Sequence, residues 1–397
     1  MGPMEGVRVV ELALWVAGPS CGGILADWGA DVIKVEPLAG DPFRSLEWLY
    51  GEGVNPPFEL DNRGKRSVAV DLTAEAGRDI LHRLVEPADV FVTNSRLAGL
   101  ERLGLDPDAL TDRYPALVYA HVSGYGLRGD ERDRAAYDVG AWWGRAGVAS
   151  AITPDGVDLP YPRGGMGDHM TGLAAAGGVS AALFHRTRTG AGQVVSTSLL
   201  RNGAYQLGWD HNVNLRTGAE TVPQTRKDPP NPLINGYRCG DGRWVWLLGM
   251  EGDRHWPRVI EALGRPEWAD DPRFADIAAR RDHSLDLVAA MDEVLASRPR
   301  DEWAEVFDRN DVWWAPVNHS HELGDDEQAR AAGCLVDVPL ADGSTATMVA
   351  SPVDFDGTAW SVREPSPELG QHTELVLAEA GVGWDEIESL KADGVIP

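Results

Sequence analysis

The stretch with the most chemical content is Gly164-Gly165-Met166-Gly167-Asp168-His169-Met170-Thr171-Gly172-Leu173. Glycines deliver one carboxylate, Asp168, to the start of a small-residue run from Leu173 to Leu183. The composition of that run predicts a helix that stops near Arg186–Gly190. An Asp just ahead of an apolar helical run is a favoured N-cap. It accepts orphan backbone N–H bonds, and those bonds with the helix dipole hold it ionised. The same carboxylate, flanked by residues without Cβ atoms, can be approached closely by a substrate and act as a nucleophile. Cap and nucleophile both stand on these residues alone.

Other candidates are positively charged. Asn62-Arg63-Gly64-Lys65-Arg66-Ser67 is the densest basic cluster in a chain of net charge −26. Arg96 and Arg102 follow a strand-like run ending at Asn94. Each group alone reads as a solvated turn. Together, at strand ends of one sheet, they suit a phosphate-bearing ligand. Gly124-Tyr125-Gly126-Leu127-Arg128-Gly129 is a literal G-x-G-x-x-G, but charged residues 130–134 follow where a dinucleotide fingerprint needs an apolar helix, so a loop is the better reading. The ten histidines offer no H-x-x-x-H or H-E-x-x-H spacing, which argues against a metal site. No Ser–His–Asp arrangement is suggested by spacing. Trp142-Trp143 reads as core packing or as an aromatic wall for an acyl group.

The elements that must position these residues alternate. Val7–Ala13 reads as a strand, Gly18–Trp28 as a helix and Ala30–Glu36 as the next strand, a βαβ unit. Ser67–Asp71 is a strand, and Thr73 caps a helix to about Val85. Asp89–Asn94 is a strand, Leu97–Leu103 a short helix and Leu117–Ser123 a strand. The pattern predicts an α/β, Rossmann-like doubly wound parallel sheet with ligands at the carboxyl ends of its strands. From Asn231 the texture changes. A hairpin turns at Asp241-Gly242, helices follow around Trp256–Leu263, Ser284–Leu295 and Asp301–Phe307, and Val312–Val317 forms a strand. This is the reading of a smaller α+β domain, residues 226–328, set between a large domain, 1–225, and a returning C-terminal segment, 329–397. That segment carries a second hairpin at Asp342-Gly343 and helices near Thr373–Ala380 and Asp385–Lys391.

Composition narrows the function. The chain has 397 residues, enough for a sizeable core, and 43% are hydrophobic. The charge of −26 argues against a general nucleic-acid binder, because phosphate contacts need a basic surface. No apolar run reaches membrane-spanning length, and no leader segment opens the chain. Cys21, Cys239 and Cys334 show no metal or redox spacing and read as free thiols in a reducing cytoplasm.

At Val16–Pro19, Ala26–Glu36, Gly40-Asp41, Asn62–Ser67, Asp71-Leu72, Gly167-Asp168, Thr171-Gly172, Thr189–Gln193 and Pro367–Thr373, the sequence resembles the class III coenzyme A transferases. That superfamily includes formyl-CoA transferase, carnitine CoA-transferases and α-methylacyl-CoA racemase, and the likeness covers most of the chain. The resemblance implies an interlocked, ring-like homodimer with Asp168 as the nucleophile and acyl-CoA and a small carboxylic acid as partners. It implies CoA contacts at Val16, Ala17, Asp71, Leu72, Thr73, Asn94, Arg96, Arg102, Ala136, Tyr137 and Asp138. No permanently bound cofactor and no metal are implied; coenzyme A is the substrate. Pro37 stands where relatives carry an arginine, Thr73 replaces a frequent lysine, and Val16 replaces the glutamine of formyl-CoA transferase.

The activity so implied is acyl-CoA:carboxylate CoA transfer through aspartyl anhydride and aspartyl-CoA thioester intermediates. Racemisation of an α-methylacyl-CoA and CoA binding without catalysis are the alternatives. The racemase branch pairs a histidine with an acid where this chain reads Tyr137-Asp138. A phenol, which ordinarily titrates near about pH 10, is poorly matched to neutral proton abstraction. His121 and His169 are substitutes without the matching context.

Overall fold

The computed structural model describes residues 2–51, 53, 55–340, 342–358, 361–362 and 364–397, the side chain of Glu47 aside. Six short runs form one sheet: β1 (Arg8–Leu12), β2 (Asp31–Glu36), β3 (Arg66–Ala69), β4 (Val90–Thr93), β5 (Val118–Ser123) and β6 (Val194–Ser198). Helices connect them: α1 (Ala17–Asp27), α2 (Pro56–Asn62), α3 (Glu75–Val85), α4 (Leu97–Leu103), α5 (Pro107–Arg113), α6 (Val148–Ala151) and α7 (Met166–Thr189). Two more, α8 (Leu199–Gln206) and α9 (Gly208–Thr217), follow the last strand. Every pairing in the sheet is parallel, in the order β3-β2-β1-β4-β5-β6.

Strands β1–β5 are buried on both faces and largely apolar, whereas the edge strand β6 is partly exposed. Successive residues point to opposite faces, and the two cores follow that period. Val9, Val32 and Val92 pack with α1 and α7 on one side. Val10, Ile33 and Phe91 pack on the other with α3 and the closing helices α15 (Thr373–Glu379) and α16 (Trp384–Ala392).

One compact unit comprises Met1–Ala149, Leu159–Glu220 and Gln328–Pro397. A second comprises Ser150–Asp158 and Thr221–Glu327. The second unit holds an antiparallel three-stranded sheet of β7 (Gly236–Arg238), β8 (Trp244–Leu247) and β9 (Trp314–Val317). Its helices are α10 (Gly252–Ala262), α11 (Ile277–Asp282), α12 (Ser284–Leu295) and α13 (Arg300–Arg309). In the first unit, the short α14 (Glu327–Ala331) starts at the boundary, and β10 (Leu335–Pro339) pairs with β11 (Thr345–Val349) across the Asp342-Gly343 turn.

One local expectation is corrected, and one open reading is decided. Thr73 does not cap α3, because Ala74 holds that position without a side-chain bond. Thr73 instead donates both its N–H and its hydroxyl to Asp71 Oδ1, at 2.8 and 2.7 Å, closing a turn that competes with a cap. Trp142 and Trp143 lie on a π-helical turn, Val139–Arg145, and are buried in the α1–α7 core. Trp142 faces Gly167, where a Cβ would fall 2.6 Å from its ring, so the tryptophan pair is core rather than an acyl wall.

Candidate active site

β1 and β4 are neighbours, yet the chain leaves them towards opposite faces, into α1 and α4. Divergence of that kind opens a crevice beyond the strands' carboxyl ends. Here it measures about 290 Å³ and is lined by Leu14–Ala17, Asn94–Leu97, residues 121–124 of β5 and its exit, residues 134–137, Arg132, Leu199 and Asp168.

The wall after β1 is held from beneath. Asn94 Oδ1 accepts from the Leu14 N–H at 3.0 Å and its Nδ2 donates to the Leu14 carbonyl at 2.6 Å. The Trp15 N–H donates to Asp41 Oδ1 at 3.0 Å. Lys34, fully buried, donates to the Ala13 carbonyl at 2.9 Å, to Asp41 Oδ2 at 3.0 Å and to Glu11 Oε1 at 3.3 Å. These bonds hold Trp15 at φ 65°, a left-handed conformation that a bulky residue adopts only when its surroundings over-determine it. The Trp15 ring meets Tyr137 edge-on, with centroids 5.6 Å apart.

Asp168 enters from α7. The residue ahead of that helix is Gly165, at φ 78°, a conformation glycine adopts without penalty. Asp168 is therefore the third residue of the helix and not its cap. A close approach of α7 to α1 seats it: a Cβ on Gly172 would lie 1.9 Å from Ser20 Oγ. The expectation that helix-start bonds keep this carboxylate ionised is also corrected. Burial, and next the negative charge of Asp138, push Asp168 up to about 7, against a smaller opposing influence of His169. Asp138 is buried and accepts the Gly167 N–H at 3.2 Å, so that amide is not free to serve an oxyanion.

The structure brings Val16, Ala17, Asn94, Arg96, Ala136, Tyr137 and Asp168 to one crevice, with Asp138 behind Asp168. Asp71, Leu72 and Thr73 do not line it. They follow edge strand β3, two strands and roughly 10 Å from β1. Arg102, in the last turn of α4, is exposed and outside the lining.

The basic cluster is not a ligand site. Arg63 is buried and bidentate to Asp27 at 3.1 and 2.7 Å, and Lys65 is buried on Glu11 Oε2 at 2.7 Å. Arg66 pairs with Asp31 and Glu379. Sequence reasoning missed Trp15 and Asp61. Asp61 accepts from His169 Nε2 at 3.0 Å across 108 positions, a separation no local pattern reveals. His121 lines the crevice with Nε2 against the Ser95 carbonyl at 2.9 Å, and burial holds it below the usual histidine range.

Residues 4–373 match the family model described as CoA-transferase family III. The chain belongs to that family. This CoA-transferase is 34% identical to the (R)-2-hydroxy-4-methylpentanoate CoA-transferase of Clostridioides difficile, over 99% of each chain. It is 32% identical to the cinnamoyl-CoA:phenyllactate CoA-transferase of Clostridium sporogenes, over 98% of this chain and 96% of that one. Among solved structures, a CAIB/BAIF family protein from Brucella suis superposes with a TM-score of 0.85 at 30% identity, covering 96% of this chain and 99% of that one. The α/β fold with its six-stranded parallel sheet thus matches that CAIB/BAIF family structure.

Within the transferase, cation supply at the crevice is uneven. Arg132 is paired with Glu101 and Asp133, and Arg134 with Glu131. Arg96 is exposed, and among the described residues its side chain has no acidic partner. Among the described residues no helix is long and apolar enough to cross a membrane, and no group of three or more His, Cys, Asp or Glu is placed to hold a metal ion.

Proposed function

We propose that this CoA-transferase moves coenzyme A from an acyl-CoA to a carboxylic acid through covalent chemistry on Asp168. One observation carries the reading: Asp168 is the sole carboxylate among the residues lining the crevice at the strand switch point. Transfer between carboxylates must conserve the thioester's free energy, so an enzyme carboxylate and not water has to take the acyl group. The Asp168 carboxylate attacks the thioester carbonyl, forming an acyl–aspartyl anhydride and releasing the CoA thiolate. The thiolate attacks the aspartyl carbonyl of that anhydride, which gives aspartyl-CoA thioester and expels the donor acid. The acceptor carboxylate then attacks the aspartyl thioester, and the released thiolate takes the acceptor's acyl group, freeing Asp168.

In this reading Arg96, an exposed cation of the crevice lining, meets CoA phosphate, and the edge at Asp71, Leu72 and Thr73 with Arg102, outside that lining, takes the remoter part of the nucleotide. Leu14, Trp15, Val16, Leu97 and Leu199 make an apolar wall suited to an apolar acyl chain. Both relatives' names carry acids with apolar side chains, and we extend that class to this chain.

The test supplies an acyl-CoA with a panel of free acids in heavy water and follows products by mass spectrometry. The expected result is a new acyl-CoA from an apolar acid, without deuterium at the donor's α-carbon. Rapid α-deuteration with no transfer to any acid would overturn transfer in favour of racemisation.

The assembly is read as an interlocked, ring-like homodimer. Tyr205 of α8 and Trp209 and Leu215 of α9 are 86%, 86% and 83% exposed, an apolar surface that suits a partner copy. Light scattering of the purified chain is expected to give a dimer mass down to the lowest measurable concentration. An active monomer would defeat this reading.

A further inference from the structure

Asp61 closes α2 with its side chain 3% exposed. Its Oδ1 accepts from His169 Nε2 at 3.0 Å, and its Oδ2 is buried with no partner among the described residues. A buried carboxylate needs a countercharge to remain ionised. Lys65, which feels the Asp61 charge, is committed to Glu11, the Pro19 carbonyl and Asn62. His169 is left as the group that can neutralise Asp61, and it follows Asp168 directly in the first turns of α7.

We propose that Asp61 holds His169 as an imidazolium, so that the pair turns its positive end towards Asp168, partly offsets Asp138 and makes His169 a positioning residue for the attacking carboxylate. The proposal rests on Asp168 as nucleophile. Asp168 faces Asp138 ahead of the π-helical turn, Asp61 of α2 and His169 of its own helix. His169 faces Asp61, Asp168 and Asp138, which together raise it above the ordinary histidine range although burial alone would lower it. From α1, packed against α7, the titratable groups are the buried thiol of Cys21, pushed up to about 12 and hence uncharged, and Asp27 at its far end, paired with Arg63. Across the crevice stand Arg96, Arg132, Arg134 and the neutral His121. Two carboxylates press on Asp168 from outside its helix, and His169 is the cation that opposes them.

The decisive variant is His169→Gln, which can still donate to Asp61 but carries no charge. The quantity to follow is kcat/KM against pH, which reports groups of the free enzyme. Its acidic limb is expected to move up by about one pH unit, costing roughly fivefold at pH 7 and about tenfold on the acid side of the limb, and recovering in alkaline buffer where Asp168 ionises unaided. A limb that coincides with wild type, or a loss equal at every pH, would overturn the proposal. Imidazole NMR on Asp61→Asn gives a second reading, in which His169 is expected to titrate lower than in wild type. No change there would equally overturn it. Mass spectrometry of wild-type protein mixed with acyl-CoA alone separates the two claims. Without an adduct on Asp168 the nucleophile assignment falls; with an adduct but no pH displacement, only the role of His169 falls.

Discussion

Asp168→Asn is expected to lower CoA transfer by roughly 10⁴-fold or more, the scale seen when a covalent nucleophile is removed, while the protein stays folded. The amide keeps the side-chain volume and loses no cap, since Gly165 occupies that position. What it loses is the carboxylate that attacks the thioester. Stability should move the other way. Burial and Asp138 put the folded-state value of Asp168 at about 7, above the ordinary carboxylate range, so the native state disfavours the charged form. The stability associated with the protonated carboxyl is present below about pH 4 and is lost as pH rises through about 7. The asparagine variant escapes that loss. It should melt above wild type at pH 8, with the gap closing in acid. Transfer assays by mass spectrometry and melting curves at the two pH values check both halves. Turnover at wild-type level would sink the assignment.

Lys34→Met is expected to cost about 3–5 kcal/mol, the range for breaking a buried ion pair by removing one partner. Lys34, Glu11 and Asp41 are all without exposure, and the lysine bonds both carboxylates as well as the Ala13 carbonyl. Methionine fills the space but leaves Asp41 buried without its cation. Asp41 also holds the Trp15 N–H, so the wall of the crevice should loosen with it. Urea unfolding followed by tryptophan fluorescence and CoA affinity by calorimetry are the measurements. A loss below about 1 kcal/mol with unchanged affinity would show that the network is not what fixes the loop.

What the sequence by itself determined is local and periodic. The helix Leu97–Leu103 and the helix Ser284–Leu295 have the limits their composition predicts, and the turns at Asp241-Gly242 and Asp342-Gly343 join antiparallel strands. Five of the six strands of the first sheet lie within a few residues of the runs that predict them, and their order with intervening helices leads to a parallel doubly wound sheet; β6, Val194–Ser198, with three hydroxyl residues in five, carries no such pattern. The ordered matches that carry the family resemblance lie along the chain and need no coordinates. Asp168 stood out because glycines and small residues bracket it in the sequence.

Tertiary structure alone decided the charges. Arg63 and Lys65 look like ligand-binding residues in the chain and become buried partners of Asp27 and Glu11, positions 36 and 54 residues away. Asp168 looks like an ionised cap and becomes a carboxylate raised by burial, next by Asp138, 30 residues before it, and less by Asp61, 107 residues before it. Trp15 takes its strained backbone from bonds to Asp41 and Lys34 beneath the loop. Periodicity and turn chemistry act between near neighbours and are written in residue order. Desolvation and Coulomb interaction depend on distance and burial, which exist only once remote segments have packed.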